Sequence, residues 1–303
     1  MTNPGQVSCP VTREAVLPGR SAESGDVSLN WSLLDIEQRI GFRGGRFTRV
    51  NNRLSFLVAL LCTVAFFVLL LFVPDSYLAV LFTQRGPTQY AACFLAFWSA
   101  AILFVKWKKL RLQRLALNYE AVPLEHDFVL TPLTARQVTE RIYGIADEPQ
   151  QFVLLHRILV ALSNLENLGR VSEVDDILRS EAENETEIME TSYSLLNGFV
   201  WAIPVFGFIG TVLGLSQAIG AFGGVLGSAE DLSQITGSLR LVTAGLATAF
   251  DTTLVALVFA VAIQLTITFL RKSEEEFLGE CSDYCLRRVV GRLKLMPYEN
   301  ERE

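Results

Sequence analysis

Two stretches decide the fold of this chain. Residues 201–222 read "WAIPVFGFIGTVLGLSQAIGAF" and residues 241–265 read "LVTAGLATAFDTTLVALVFAVAIQL". The first lies in a run of 39 residues, 191–229, free of Asp, Glu, Lys and Arg; the second lies in a run of 30, 241–270, broken only by Asp251. A hydrocarbon core about 30 Å thick needs roughly 20 apolar residues of helix, and both runs exceed that. Two more runs sit upstream: 54–74, with 21 residues, and 86–105, with 20. The second of these opens on the polar "PTQ" and is the weakest span. Four transmembrane helices are expected, in an all-α integral membrane protein.

Composition agrees. Of 303 residues, 50% are hydrophobic and 19% charged, and the net charge is −6. The mean hydropathy is +0.35. Soluble domains carry about 25% charged residues, and this balance excludes disordered, collagen-like and disulfide-scaffold chains. It also gives no reason to expect nucleic acid. The five cysteines fit no disulfide or metal framework, and Cys281 and Cys285, four apart, read as inert thiols. His126 and His156 read as structural, so neither metal nor cofactor is implied.

Orientation follows from the flanks. Arg39, Arg43, Arg46, Arg49 and Arg53 precede the first span; Lys106, Lys108, Lys109, Arg111 and Arg114 follow the second; Arg271, Lys272, Arg287, Arg288, Arg292 and Lys294 follow the fourth. The two opposite loops hold Arg85 and Arg240 alone. The positive-inside rule therefore puts both termini in the cytoplasm. Residues 1–30 read as a disordered cytoplasmic tail and 31–53 as a juxtamembrane segment, in which residues 28–42 suit a short amphipathic helix on the membrane surface. Spans one and two occupy 54–105, a cytoplasmic helical domain 106–190, the core of spans three and four 191–270, and a cytoplasmic amphipathic helix 271–303. Within the helical domain, Phe152, Leu155, Ile158, Leu159, Leu162 and Leu165 recur at helical spacing. Thr134 is a candidate N-cap, Gly169 a stop, and Ser172 with Asp175 an imperfect capping box. From Ser172 nothing breaks the helical pattern until Pro204, already within the third span, so one helix from Ser172 to Phe222, about 75 Å long, is expected to cross the membrane and project below it. The acid run 181–190 reads as a solvated face of that helix.

The chemistry sits in spans three and four. Gly207, Gly210 and Gly214, with Gly220 beyond, are too frequent for a helix facing lipid; the Gly210-xxx-Gly214 spacing admits close backbone approach. Pro204 removes one backbone hydrogen bond and is expected to kink the helix. Asp251 is the one carboxylate, with Thr248, Thr252 and Thr253 nearby. A charged Asp at a helix centre costs about 2.5–3.5 kcal/mol on insertion scales. It must be protonated, paired or placed beside water. Thr211 and Thr253 stand equally far from Leu232 at the centre of the hairpin loop, so their hydroxyls are expected at one level near mid-bilayer. Asp251 and Thr253 are about 200° apart on the helix and face different ways. Thr253 shares a stripe with Ala249, Ala256, Ala260 and Gln264 that suits a pore lining. Asp251 shares one with Ala244, Thr248, Val255 and Val258 that suits a contact with span three or a neighbouring subunit.

The segments "IPVFGFIGTVLG" and "GLATAFDTTLVAL" resemble the two signature helices of the MotA/TolQ/ExbB family, the stator subunits of force-driven bacterial membrane motors. Four spans resemble the MotA arrangement more than the three-span ExbB and TolQ plan. The resemblance implies a homopentamer around two helices of a MotB/TolR/ExbD-like partner, single-span and bearing the principal protonatable Asp, in the bacterial inner membrane. It places Thr211 and Thr253 at the family's pore threonines and Thr248 where ExbB has a functional glutamate; here the acid is Asp251 instead. Thr252 stands where sodium-using stators also carry Thr, so proton and sodium both remain open. No nucleophile–base pair or metal cluster suggests an enzyme, and "AFGGVLGS" at 221–228 lacks the Lys of a phosphate loop. A non-conducting helical membrane scaffold is the alternative. For rotor contact, Arg136, Glu140, Glu148 and Arg157 are the candidate charges.

Overall fold

The computed structural model describes residues 29–39, 41, 45, 47–83, 86–123, 128–168, 171–226 and 232–293. Residues 1–28, Arg43, Arg46, Arg85, His126, Gly169, residues 227–231 and Lys294 onward lie outside the described residues, while Leu29, expected in the disordered tail, is buried and bridged to Ala146. Ten α-helices are described: α1 Trp31–Leu34, α2 Ile36–Arg39, α3 Asn52–Leu71, α4 Tyr77–Thr83, α5 Pro87–Ala116, α6 Pro132–Ile145, α7 Val153–Leu168, α8 Val171–Ser192, α9 Ser194–Leu226 and α10 Leu232–Arg288. Among the described residues there is no strand, only the isolated bridges Leu29–Ala146 and Leu130–Leu293.

Four helices are long and apolar enough to cross a membrane, and they carry the four expected spans. Their outward faces remain apolar. Phe72 is 79% exposed, Phe269 72% and Phe208 65%, a surface that water-soluble monomers do not present in continuous form. α9 and α10 form an antiparallel hairpin; α5 packs against both and against α3, while α7 packs against α8 and α6 against α7. At 57 residues, α10 is about 85 Å long. It runs without a break from the hairpin to the basic residues Arg287 and Arg288 in its last turn.

The long helix expected from Ser172 is two helices. It breaks at Tyr193, between α8 and α9, and resumes through Pro204, which α9 accommodates without losing its helical assignment. Two cap assignments also change. α8 already begins at Val171, so Ser172 lies inside the helix. The cap of α6 is Thr131: its Oγ1 accepts from the Thr134 N–H at 3.3 Å, and the Thr134 hydroxyl accepts from the Thr131 N–H at 2.8 Å, with Pro132 opening the helix. Pro132 explains the shift, because its fixed φ suits the first helical position and puts the cap one residue earlier. Thr131→Ala is expected to cost about 1 kcal/mol, read as a lower melting temperature of the full chain in detergent micelles; an unchanged melt contradicts the cap.

The described part of the 28–42 stretch, residues 29–39 and 41, does not form one surface helix. α1 and α2 are single turns, and Trp31 is buried edge-on against Phe152, ring centroids 5.0 Å apart. The reason is charge. Asp35 and Glu37 turn inward to Lys109, with Glu37 Oε2 at 2.5 Å and Asp35 Oδ2 at 3.7 Å from its Nζ. Lys109 also donates to the Arg49 carbonyl at 2.9 Å, and Glu37 accepts from the Asn51 N–H at 2.7 Å. Burial pushes the Asp35 carboxyl above the ordinary aspartate range; the Lys109 charge opposes that and Glu37 reinforces it.

A second buried cluster joins four segments. Glu274 on α10 accepts from Lys106 Nζ at 3.1 and 3.2 Å, from the Tyr193 hydroxyl at 2.7 Å and from Thr48 Oγ1. The Lys106 ammonium stands 4.3 Å over the Tyr193 ring. Thus Lys106 and Lys109, which flank the second span, are buried and paired. The acid run is likewise solvated only in part: Glu185 turns inward to Arg157, at 2.5 Å, and Arg157 donates to Ser282 Oγ on α10 at 2.7 Å. That removes Arg157 from the surface, while Arg136 and Glu140 stay exposed as an i,i+4 pair. His156 packs on the Phe47 ring, and Cys281 and Cys285 lie in the core.

Candidate functional site

The α9–α10 seam is built by absent side chains. A β-carbon on Gly207 would stand 2.6 Å from Ala256 Cβ, and one on Gly214 would stand 3.0 Å from the Gly245 carbonyl oxygen. One on Gly245 would stand 2.8 Å from Ala218 Cβ. Such spacing leaves no room for side chains, so the two backbones touch directly, as small-residue packing in membranes allows. Gly220 has no such neighbour within 4 Å and lies outside the seam.

Hydroxyls collect where the backbones touch. Because Gly207 has no side chain, Thr253 Oγ1 reaches across and donates to its carbonyl oxygen at 3.1 Å. Thr252 is buried, and its hydroxyl donates to the Ala249 carbonyl at 2.9 Å. A β-carbon on Gly210 would stand 2.6 Å from Thr252 Oγ1 and 2.8 Å from Thr88 Oγ1. Three helices therefore bring two hydroxyls to one glycine. Thr211 is half-buried and donates to its own helix at Phe208 O, 2.6 Å; Thr248 does the same to Ala244 O at 3.0 Å. With Gly210 opposite Thr252, antiparallel counting puts Thr211 and Thr253 within about 3 Å of one level.

Two corrections follow. Ala249 and Ala256, expected to share a pore lining with Thr253, are packed against Gly214 and Gly207, and Ala260 is buried too; of that stripe Gln264 is exposed. Counting phase alone identifies which residues share a stripe but not which neighbour covers it. Asp251 is half-buried; of its stripe Val255 is buried while Ala244 and Val258 are exposed, a face open to the neighbouring copy that the sequence reading allows for. The seam is also level with the first turn of α5, since Thr88 is the second residue of that helix. It does not lie midway along that span.

The sequence reading passed over Thr88 and its neighbour Gln89, both buried. The available signal was the polar opening of the second span, read there as weakness. The Gln89 amide nitrogen has no hydrogen-bond partner, so the start of α5 adds a further polar group close to the seam. The set Thr88, Thr252 and Thr253 holds neutral oxygen ligands, and Asp251, on the same helix as Thr252 and Thr253, faces another way. The threonine set offers solvation for a small cation and has no nucleophile–base geometry. No group of three or more potential metal-ligating side chains occurs among the described residues.

Residues 150–282 match the sequence model of the MotA/TolQ/ExbB proton channel family, a stretch that contains α8, α9 and most of α10. No curated protein and no solved structure matches the chain.

Proposed function

We propose that this chain, a MotA/TolQ/ExbB-type channel protein over residues 150–282, is the ion-conducting stator subunit of a membrane motor. Copies assemble, as a homopentamer, around the transmembrane helices of a MotB/TolR/ExbD-like partner dimer that supplies a protonatable Asp. Protons or sodium ions moving down the transmembrane gradient pass Thr211 and Thr253, with Thr248, Thr252 and Asp251 contributing polarity, and the flow is converted to mechanical work. Gly207, Gly210, Gly214 and Pro204 serve packing. The protein sits in the bacterial inner membrane with both termini in the cytoplasm, and α8 and the distal half of α10 project there. The observation that carries the reading is the glycine seam: it sets the hydroxyls of Thr252 and Thr253 against Gly210 and Gly207 in an apolar hairpin, inside the family-matching segment.

The test is ion flux through liposomes holding the chain co-expressed with its partner. A hydroxyl solvating a cation is worth about 1.5–3 kcal/mol, so Thr211→Val and Thr253→Val are each expected to cut flux about 10- to 100-fold. Wild-type flux in both variants rejects the reading. One observation favours a non-conducting scaffold instead: the hydroxyls of Thr252, Thr211 and Thr248 are already satisfied by their own helix. That alternative predicts normal assembly and no flux in the wild type.

A further inference from the structure

A groove of about 710 Å³ runs between α5 and α10, away from the glycine seam. Two helical stripes face each other across it: Ala100, Phe104 and Trp107 on α5, and Ala262, Thr266 and Phe269 on α10. The alanines make the room. Its volume is that of a ligand pocket, and apart from Thr266 and Ser273 its lining is apolar.

Length and charge select the occupant. Along α5 the lining runs from Ala96 to Trp107, about 17 Å of helix, close to half of a hydrocarbon core about 30 Å thick. Along α10 it runs from Phe259 to Ser273, about 21 Å, so the groove has the length of one acyl chain and falls short of a whole span. All its charge lies at one mouth. Arg111 stacks on Trp107, with the guanidinium carbon 3.8 Å from the ring centroid, and Lys108 stands 5.5 Å over the same ring. One turn further, Arg114 donates to the carbonyl and hydroxyl of Ser273, at 2.9 and 3.1 Å, and its Nε is buried without a partner. Among the described residues no carboxylate pairs with Lys108, Arg111 or Arg114. Stacking on Trp107 satisfies the face of the Arg111 guanidinium but leaves its N–H edge available for a bidentate acceptor.

We propose that this groove is a binding site for an anionic glycerophospholipid of the leaflet on the basic side. One acyl chain lies between α5 and α10, and the phosphate is held by Arg111 and Lys108 with Arg114 beneath. A helix from a second copy would be a poor match, because it would have to end short of a whole span and present an acid at the basic mouth. The inference rests on membrane embedding and not on ion flow, so its failure leaves the channel reading intact.

The experiment exchanges the purified full chain into nanodiscs of phosphatidylglycerol or phosphatidylcholine and counts retained lipid by native mass spectrometry. The wild type is expected to retain phosphatidylglycerol in preference. Arg111→Gln and Lys108→Gln, both exposed and outside the seam, are each expected to lower that preference about fivefold, from about 1 kcal/mol per basic residue near an anionic surface. Ala100→Phe with Ala262→Phe fills the groove and is expected to reduce retention of both lipids at unchanged oligomeric mass. Equal retention of the two lipids by the wild type, or a preference indifferent to both charge variants, means adventitious annular lipid and overturns the proposal. A groove-filling variant that changes oligomeric mass but not lipid count assigns the groove to a contact between copies, and overturns it equally.

Discussion

Glu274→Gln lowers the stability of the folded chain by about 3–5 kcal/mol, the cost of leaving a buried ammonium without its counter-charge. Lys106 and Glu274 are 1% and 3% exposed, so water cannot replace the lost partner. The carboxylate also accepts from Tyr193 and Thr48, and an amide meets these donors with one oxygen instead of two. Four separate segments are joined at this point, so the damage is expected to reach the whole region below the spans. Thermal unfolding of the full chain in micelles, followed by circular dichroism, reads the loss. The double variant Lys106→Met with Glu274→Leu is the control: it removes both charges, and such replacements of buried pairs are often neutral or stabilising. A Glu274→Gln protein that melts with the wild type, or a double variant that is worse than the single, refutes this account of the cluster.

Gly210→Val is expected to separate α9 from α10 and abolish flux. Its first side-chain atom would fall 2.6 Å from Thr252 Oγ1, 2.8 Å from Thr88 Oγ1 and 2.9 Å from Thr252 Cβ. Overpacking of this kind costs about 1–3 kcal/mol when the surroundings can shift. Here the obstructing atoms belong to two other helices, one of them the 57-residue α10. Gly220→Val on the same helix meets nothing within 4 Å and is expected to leave assembly intact. Cysteine cross-linking of the α9–α10 pair and flux in liposomes, run on both variants, separate a packing requirement at one position from a general intolerance of bulk. Equal behaviour of the two would sink the seam argument.

The spans and the seam were legible because they depend on local composition. A run such as 54–74 is apolar whatever surrounds it, and Gly210-xxx-Gly214 announces close approach by spacing alone. The ion pairs were not legible. Lys109 finds Glu37 at a separation of 72 residues and Lys106 finds Glu274 at 168, so sequence shows each charge but not its partner. The positive-inside reading uses both lysines as flanking charges and says nothing of the core position that they take. Helical phase failed for the same reason at Thr253: it grouped the right residues but could not say that α9, and no lumen, covers Ala256. Thr88 was missed because its meaning depends on Gly210, more than a hundred positions away.

The break at Tyr193 gives the two rods of the hairpin unequal stiffness. α10 is one unbroken helix across its whole length, whereas its antiparallel companion is jointed between α8 and α9. At that interruption the tyrosine hydroxyl donates to Glu274 on α10, and Glu190, three residues earlier, pairs with Arg271 of α10 at 3.2 Å, so the interrupted helix is tied to the unbroken one where its own ladder lapses.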